Sequence, residues 1–315
     1  MAKLKKEISS FGLLMTSLSA MIGSGWLLSS MVAAKLAGPA AILSWLIGGI
    51  MIAFLATCFS ELSTAFPVAG GIARYGQFSH GSCTSFIISW LAWLSCVAVA
   101  PTNAIAILQY ASSIEAAPYF IQELTYSTNN AILLTSSGTF CAIVLVFFMT
   151  WINNLGIKVM IKYNNILTVW KILVPTAVLI TLTVNRFSFD NFTQMGFAPM
   201  GLEGIFSALS TTVIFSFLGF RECTSLAEEV KNPQRSIPIA AIGSVFYCTI
   251  FYMMMQIVFT GVLDPKAFAQ GWSLLQFSAD AGPFAGLAIS LSLNWLAIVI
   301  YTDAVIAPLG SGQEF

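Results

Sequence analysis

Charged residues are scarce in this chain of 315 residues, at 8% of the sequence, whereas soluble domains carry roughly 25%. Hydrophobic residues make up 57% of the sequence, and the formal net charge is zero. No basic stripe with interleaved aromatic residues occurs outside the apolar runs, which argues against nucleic-acid binding. This composition predicts an all-α integral membrane protein, whose main partner is the lipid bilayer.

Residues that carry catalytic or metal chemistry are also few. Histidine occurs once, at His80, which we expect in a cytoplasmic loop, and the six cysteines lack Cys-x-x-Cys spacing. We therefore expect the cysteines to pack as small hydrophobes, with no disulfide framework, cofactor or metal site. An intramembrane enzyme would need paired acids, a Ser/Lys or His constellation, or metal ligands at membrane depth. The sequence does not indicate an enzyme.

Long apolar runs are what the chain has instead. Each is about 20 residues or longer, enough for a helix to cross the hydrocarbon core. The eight candidate spans are about 11–34, 41–64, 84–113, 131–151, 159–184, 204–227, 239–262 and 285–309. No soluble segment separates them, so we expect one transmembrane domain over 1–315.

The cationic residues predict the orientation, because Lys and Arg beside the spans are retained in the cytoplasm. With the N-terminus inside, the cytoplasmic segments hold Lys3, Lys5, Lys6, Arg74, Lys158, Lys162, Lys231 and Arg235, and the outer loops hold Lys35, Arg186 and Lys266. This bias predicts a multi-pass protein of the cell membrane with a cytoplasmic N-terminus.

Two of the spans contain polar, glycine-bearing interruptions. Gly23-Ser24-Gly25 lies in the middle of the first run, and Ser216 and Gly219 lie near the middle of the sixth. A continuous helix disfavours glycine, so we expect both helices to be broken there. Breaks in spans one and six fit two five-helix repeats of opposite topology, the first at about 11–184 and an incomplete second at about 204–309.

A broken helix exposes N–H groups and a positive dipole end on one half, and carbonyl groups on the other. An α-amino acid carries a carboxylate and an ammonium group, which suit these two ends. The paired breaks can therefore hold its backbone while its side chain projects toward Phe215 and Leu218. This reasoning indicates a site for a zwitterion or organic ion without selecting amino acids over other solutes.

Three further segments have two interpretations each. Lys171 lies inside the fifth span, where it either snorkels to the interface or, with a lowered pKa, acts as a proton carrier or as a substitute for a bound cation. The kink at Pro101-Thr102-Asn103 either faces a cavity or packs helices together. The Gly-rich loop at 66–81 is either a cytoplasmic gate element or a plain connection.

The interrupted segments resemble the amino acid–polyamine–organocation (APC) family of secondary transporters. The matching residues are Gly23-Ser24-Gly25-Trp26, Pro67-Val68-Ala69-Gly70-Gly71 and Phe215-Ser216-Phe217-Leu218-Gly219-Phe220. The string 227–238 after the sixth span, with its two prolines and its acidic-basic cluster, is the most specific part of the resemblance. The resemblance covers all eight candidate spans.

The resemblance implies the inverted five-helix-repeat (LeuT-like) transporter fold, with discontinuous helices 1 and 6. It implies proton-coupled uptake of amino acids by alternating access, with an amino acid or polyamine exchanger and a non-transporting sensor as alternatives. By resemblance, Ile22, Gly23, Ser24 and Gly25 bind the substrate carboxylate, Phe215 is a gating aromatic, and Ser216, Phe217, Leu218 and Gly219 receive the amino group. Lys171 resembles the fifth-helix lysine of proton-coupled members.

This chain departs from the family pattern in two ways. Many members have Glu directly after the Gly-Phe of the sixth helix, whereas this chain has Arg221 and then Glu222. Arg221 either pairs with Glu222 or Glu61, or faces the cavity and binds an acidic substrate, which slightly favours acidic amino acids. The second departure is length, because the family has twelve helices and this chain ends after the eighth.

Overall fold

The computed structural model describes residues 6–23, 25–68, 70–112, 114, 118–128, 131–154, 157–275 and 282–311. These residues are almost entirely helical. In chain order the helices are α1 Ser10–Met21, α2 Trp26–Ala37, α3 Ala41–Ala65, α4 Ile72–Ser112, α5 Tyr119–Gln122, α6 Ser136–Asn153, α7 Ile157–Asn185, α8 Gly201–Ala208, α9 Ile214–Ser216, α10 Glu222–Ser225, α11 Pro233–Val262, α12 Pro265–Phe268, α13 Pro283–Ser290 and α14 Asn294–Ser311.

Five helical stretches of the described residues are long and apolar enough to cross a membrane. They are Trp26–Ala65, Ile72–Ser112, Val159–Asn185, Gly201–Ser225 and Pro233–Val262. Shorter apolar helices lie at Ser10–Met21, Ser136–Trp151 and Asn294–Pro308. The predicted runs overlap these stretches, but their bounds differ; Trp26–Ala65, for example, includes part of the first predicted run and all of the second. The count of eight spans stays a prediction.

The run predicted as a helix from residue 131 begins as a strand. β1 (Thr125–Thr128) and β2 (Ala131–Leu134) pair antiparallel, with Thr125 opposite Leu134. Helix α6 begins only at Ser136, because the Thr135 hydroxyl accepts the Gly138 amide at 3.1 Å and caps the helix. The helical prediction for 131–134 was therefore wrong.

The last predicted run, 285–309, is divided into two helices. Helix α13 ends at Ser290, and the chain turns through Ser292, whose φ of 60° is rare for a residue with a side chain. The Leu293 amide donates to the Ala288 carbonyl at 2.8 Å, which closes the turn before α14 begins.

The predicted loop around His80 is also largely helical. Helix α4 begins at Ile72 and kinks at Gly81, where φ is 82° and the conformation suits glycine. His80 is therefore the exposed end of a short helical segment rather than a loop residue.

Main-chain hydrogen bonds join the beginning of the described chain to the segment after the sixth apolar run. The Glu7 and Ile8 amides donate to the Glu229 carbonyl at 2.9 and 3.0 Å. The Lys231 amide donates to the Ile8 carbonyl at 3.0 Å, which gives a parallel bridge between Ile8 and Val230. The string 227–238 thus has a structural role beside α1.

The core is built around α11, which packs along α3 and α1. Trp45 on α3 and Tyr252 on α11 are buried with ring centroids 4.8 Å apart, and the Trp45 Nε1 donates to Gln256 at 3.1 Å. Helix α7 packs against both α1 and α11, and α14 packs against α4 and α7. This arrangement brings the ends of α1 and α9 together.

Candidate functional site

The first interruption lies between Met21 and Trp26. Ile22 leaves the helical conformation at φ −89° and ψ 80°, although its amide still donates to the Leu18 carbonyl at 2.8 Å. Gly25 precedes the first turn of α2 and is exposed, and no atom lies within 4 Å of the position a Cβ would take. Ser24 lies outside the described residues. The main chain at Gly25 therefore borders open space.

The second interruption follows α8. The chain passes through a π-helical turn at Leu209–Val213 and then α9, and it continues as a 3₁₀ turn at Leu218–Arg221. A Cβ on Gly219 would lie 2.5 Å from the carbonyl carbon of Ala20 and 2.7 Å from the Met21 nitrogen. Gly219 thus permits the sixth helical stretch to contact the end of α1 directly.

Tyr252 connects the two interruptions from α11. Its buried hydroxyl donates to the Met21 carbonyl at 2.7 Å and lies 3.3 Å from the Ser216 carbonyl. Both carbonyl groups belong to the last residue of an interrupted helix, α1 or α9. Sequence reasoning missed Tyr252 because a tyrosine within an apolar run gives no distinctive signal.

A cavity of about 520 Å³, here called the central cavity, lies where the two interruptions meet. Of the predicted substrate residues, its wall includes Gly23, Gly25, Phe215, Ser216, Leu218, Gly219 and Arg221. The wall also includes residues that were not predicted as substrate ligands: Ala20, Met21, Trp26, Leu28, Ser29, Val32, Ser95, Val99, Asn103, Thr211, Thr212, Glu222 and Tyr252. Asn103 lies at the predicted kink of α4, so that kink borders the cavity.

Two of the predicted residues lie in the core rather than on the cavity wall. Ile22 and Phe217 are both fully buried. The Phe217 ring packs edge-on against Trp45 and Tyr252, with centroid distances of 6.2 and 5.4 Å. The next two residues, Leu218 and Gly219, return to the cavity wall because the 3₁₀ turn changes which side the chain presents.

Arg221 lies between the central cavity and a second cavity of about 260 Å³. Its Nη2 donates to the Ser95 hydroxyl at 2.8 Å, and its Nε is 3.5 Å from a carboxylate oxygen of Glu222. Arg221, Glu222 and Ser95 line both cavities. The two interpretations of Arg221 therefore do not exclude each other, because it forms the ion pair with Glu222 and also lies on the wall of the central cavity.

The second cavity is also lined by Gly70, Ile72 and Ala73, from the Gly-rich segment at the start of α4. The Ser85 hydroxyl donates to the Ala73 carbonyl at 3.0 Å, which folds the short helix before Gly81 back against the rest of α4. The segment predicted as a Gly-rich loop therefore lines the second cavity, together with Arg221, Glu222 and Ser95.

Lys171 on α7 is fully buried, which argues against snorkelling to the interface. Its Nζ donates to the carbonyl and to the hydroxyl oxygen of Ser19, both at 2.9 Å. Ser19 lies in the last turn of α1, so the ammonium group is held beside the first interruption.

Asp303 on α14 is a second buried charged residue near this interruption, and it was not predicted as a site residue. Its Oδ2 accepts the Trp26 indole N–H at 2.9 Å, and Trp26 is the first residue of α2. An acidic residue inside an apolar span is costly and usually functional, which is the signal that could have identified it.

With this geometry established, the sequence was compared with known families. It matches the amino acid permease family over residues 8–314. The chain belongs to the amino acid permease family. Its family and its apolar helices make it a multi-pass membrane protein.

Three curated relatives of this permease-family chain come from Bacillus subtilis. The glutamate/serine transporter AimA is 41% identical over 317 residues, 100% of this chain and 58% of AimA. The aspartate-proton symporter is 33% identical, over 99% of this chain and 58% of the relative. The branched-chain amino acid permease BcaP is 30% identical, over 96% of this chain and 63% of BcaP. The chain thus spans about three-fifths of the length of these relatives.

Proposed function

We propose that this protein is a secondary active transporter of amino acids, with acidic amino acids favoured, driven by protons through alternating access. The observation that carries the proposal is the central cavity, where the ends of two interrupted helical stretches meet and Arg221 lies on the wall. Relatives named as a glutamate/serine transporter and an aspartate-proton symporter support the same substrate class.

The proposed fold is the inverted five-helix-repeat fold, with the interruptions in helices 1 and 6 and the N-terminus in the cytoplasm. The similar position of the interruptions in the first and sixth apolar runs supports this assignment. Under this fold the central cavity lies near the middle of the membrane, where a transporter must expose its substrate to each side in turn.

The substrate backbone is proposed to bind between the interruptions. The α2 N-terminus has a positive dipole end and no side-chain cap at Gly25, which suit the α-carboxylate proposed to bind at residues Ile22 to Gly25. Within this segment the main chain at Gly25 borders open space, whereas Ile22 lies in the core. The carbonyl groups of residues Ser216 to Gly219 suit the ammonium group. Phe215, whose side chain is 64% exposed, is proposed as the gating aromatic on the cavity wall.

The substrate side chain is proposed to interact with Arg221. A guanidinium group binds a carboxylate through two parallel hydrogen bonds, which selects acidic side chains by both charge and shape. The Arg221 side chain is 29% exposed and already contacts Glu222, so an acidic substrate competes with this carboxylate. Under this proposal, substrate binding changes the contacts of Arg221 with Glu222 and Ser95, which lie between the two cavities.

Lys171 is proposed as a proton-coupling residue. Its ammonium group is buried and bonded to the last turn of α1, beside the proposed carboxylate site. The positive charge of Lys171 therefore acts directly on the interrupted helix. Replacement by alanine is expected to abolish uptake driven by a pH gradient and to leave some substrate binding.

The decisive experiment is uptake by proteoliposomes of the full-length protein, with a panel of radiolabelled amino acids and with or without a pH gradient. We expect accumulation of glutamate or aspartate that requires an acidic exterior. Exchange without net accumulation would instead indicate an exchanger. Binding without movement would indicate a sensor, and either result would contradict the proposal.

Arg221→Gln tests the proposed side-chain contact. Loss of a charge-assisted hydrogen bond costs about 1.5–3 kcal/mol, which predicts a KM for glutamate raised about tenfold to 150-fold. Neutral substrates should be affected much less. Arg186→Gln is the matched control, because Arg186 lies in an exposed contact with Asp264. An equal loss for neutral substrates would show that Arg221 only maintains the fold.

A further inference from the structure

Asp303 is a carboxylate in the interior of the transmembrane region. Its side chain is fully buried, and its Oδ2 accepts the Trp26 indole N–H at 2.9 Å. The Trp170 side chain is a second hydrogen-bonding neighbour of this carboxylate. Among the described residues, Oδ1 has no hydrogen-bond partner. An ionised carboxylate in such surroundings is costly unless a positive charge is nearby.

Lys171 supplies that charge. It interacts electrostatically with Asp303, and both side chains are fully buried. Lys171 is bonded to Ser19 in the last turn of α1, and Asp303 is bonded to Trp26 in the first turn of α2. A cation and a carboxylate thus hold the two sides of the same interruption.

The elements with the most contacts to α14 are α1, α4, α7 and α13, and Trp26 in the first turn of α2 also contacts Asp303. The charged residue of α2, Lys35, lies in its last turn, at the opposite end from Trp26. Helices α1 and α13 contain no charged residue. Besides Lys171, helices α4 and α7 have three described side chains that can be positively charged. They are Arg74, His80 and Lys162, and all three are exposed. Their remaining titratable side chains are phenols and thiols, at Tyr75, Cys83, Cys96, Tyr110 and Tyr163. Within this part of the chain, Lys171 is therefore the charge that balances Asp303.

We propose that Asp303 is a second proton-coupling residue, which takes up and releases the transported proton at Oδ1 while Lys171 supplies the balancing positive charge. The step is a simple proton transfer. A hydronium ion gives a proton to the Asp303 carboxylate and becomes water, and the carboxylate becomes a neutral acid. The acid later returns the proton to a water molecule on the other side, which becomes hydronium. No other bond forms or breaks.

Protonation of Asp303 changes the charge beside the substrate site. The Lys171–Asp303 pair is neutral when both groups are ionised, and it carries one positive charge after Asp303 is protonated. That charge lies beside Ser19 and favours a substrate carboxylate at the interruption. Because linkage is reciprocal, bound substrate in turn favours protonation. This deepens the proposed function and rests on it.

Asp303→Asn tests the assignment in proteoliposomes of the full-length protein. With one proton moved per substrate, a gradient of one pH unit supports about tenfold accumulation, because each pH unit is worth about 1.36 kcal/mol. The parent should approach this ratio. The variant should equilibrate near a ratio of one while retaining substrate exchange, and its substrate affinity should lose the pH dependence of the parent.

Asp264→Asn, at an exposed loop position, is the matched control and should accumulate substrate like the parent. If Asp303→Asn is poorly produced, Asp303→Glu is the second variant, because it keeps a carboxylate that can take up and release a proton. It should accumulate substrate, with a pH dependence shifted from that of the parent.

Proton-driven accumulation by Asp303→Asn overturns the inference, and so does a folded Asp303→Glu that exchanges substrate without accumulating it. So does a parallel loss of exchange and accumulation in both, since that indicates a structural role. Failure of the parent itself to move any amino acid would instead refute the proposed function, so the two failures are distinguishable.

Discussion

Replacement of Tyr252 by phenylalanine isolates the connection between the two interruptions. The variant keeps the ring, which packs against Trp45 and Phe217, and removes only the hydroxyl that donates to the Met21 carbonyl at 2.7 Å. We expect the ends of α1 and α9 to be held less firmly, so that the geometry that binds substrate is less populated.

The magnitude follows from the hydrogen bond that is lost. A neutral intramolecular hydrogen bond contributes about 0.5–1.5 kcal/mol, and an orphaned buried carbonyl would cost more. The Met21 carbonyl also accepts the Gly23 amide at 3.2 Å, so it is not left without a donor. The expected rise in substrate Kd is therefore about twofold to twelvefold, with a centre near fivefold.

The assay is equilibrium substrate binding to the purified protein, measured alongside thermal unfolding. Tyr247→Phe is the matched control, because Tyr247 lies on the same helix and stacks on Phe251. It should change Kd by less than about twofold. An unchanged Kd in Tyr252→Phe, or an equal change in the control, would refute a specific role for the Tyr252 hydroxyl.

Three further predictions concern packing and titration. Gly219→Ala should lower the free energy of unfolding by about 1–3 kcal/mol, because its Cβ would meet the α1 main chain, whereas Gly25→Ala should fold like the parent. Equal stability of the two variants, by thermal unfolding, would contradict this. The pKa of Glu229 is raised by partial burial and by its acidic neighbours Glu228 and Glu7. Above the pKa of Glu229 in the folded protein, the ionised carboxylate therefore destabilises the pairing of this segment with residues 7–8. Glu229→Gln removes that charge and should slow hydrogen exchange of the Ile8 amide at neutral pH. The pKa of Asp264 is lowered, chiefly by the hydrogen bond from the Lys266 main-chain amide. The stability that its carboxylate contributes is therefore present at neutral pH and is lost as the pH falls below 3.8, the ordinary pKa of an aspartate. The difference in melting temperature between the parent and Asp264→Asn should disappear in acid.

The sequence predicted the membrane class, the family and seven of the 20 residues on the wall of the central cavity. Glycine and serine in the middle of apolar runs are visible without a structure, and Gly23, Gly25, Ser216 and Gly219 all line the central cavity. Arg221 was visible in the same way, as a charge inside a span.

Other parts of the site depend on contacts between distant segments. The hydroxyl of Tyr252 finds its acceptor 231 residues away, and nothing in the local sequence indicates that pairing. Phe217 was assigned to the substrate site with its neighbours, but the direction of its ring depends on the turn at Leu218–Arg221. The sequence shows Asp303 as an acidic residue in an apolar run. Its contact with Trp26 depends on how α14 packs and could not be predicted from the sequence.

The short pairing of residues 7–8 with residues 229–231 restricts how the protein can open. Helix α1 has 12 residues and is about 18 Å long, so a tilt of about 10° about its Met21 end would move its first turn by about 3 Å. The main-chain bonds to Glu229 and Lys231 carry the segment after α10 along with that displacement. The first turn of α1 and the segment after α10 are therefore expected to move together, whereas the contact between Arg221 and Ser95 is a side-chain hydrogen bond of 2.8 Å.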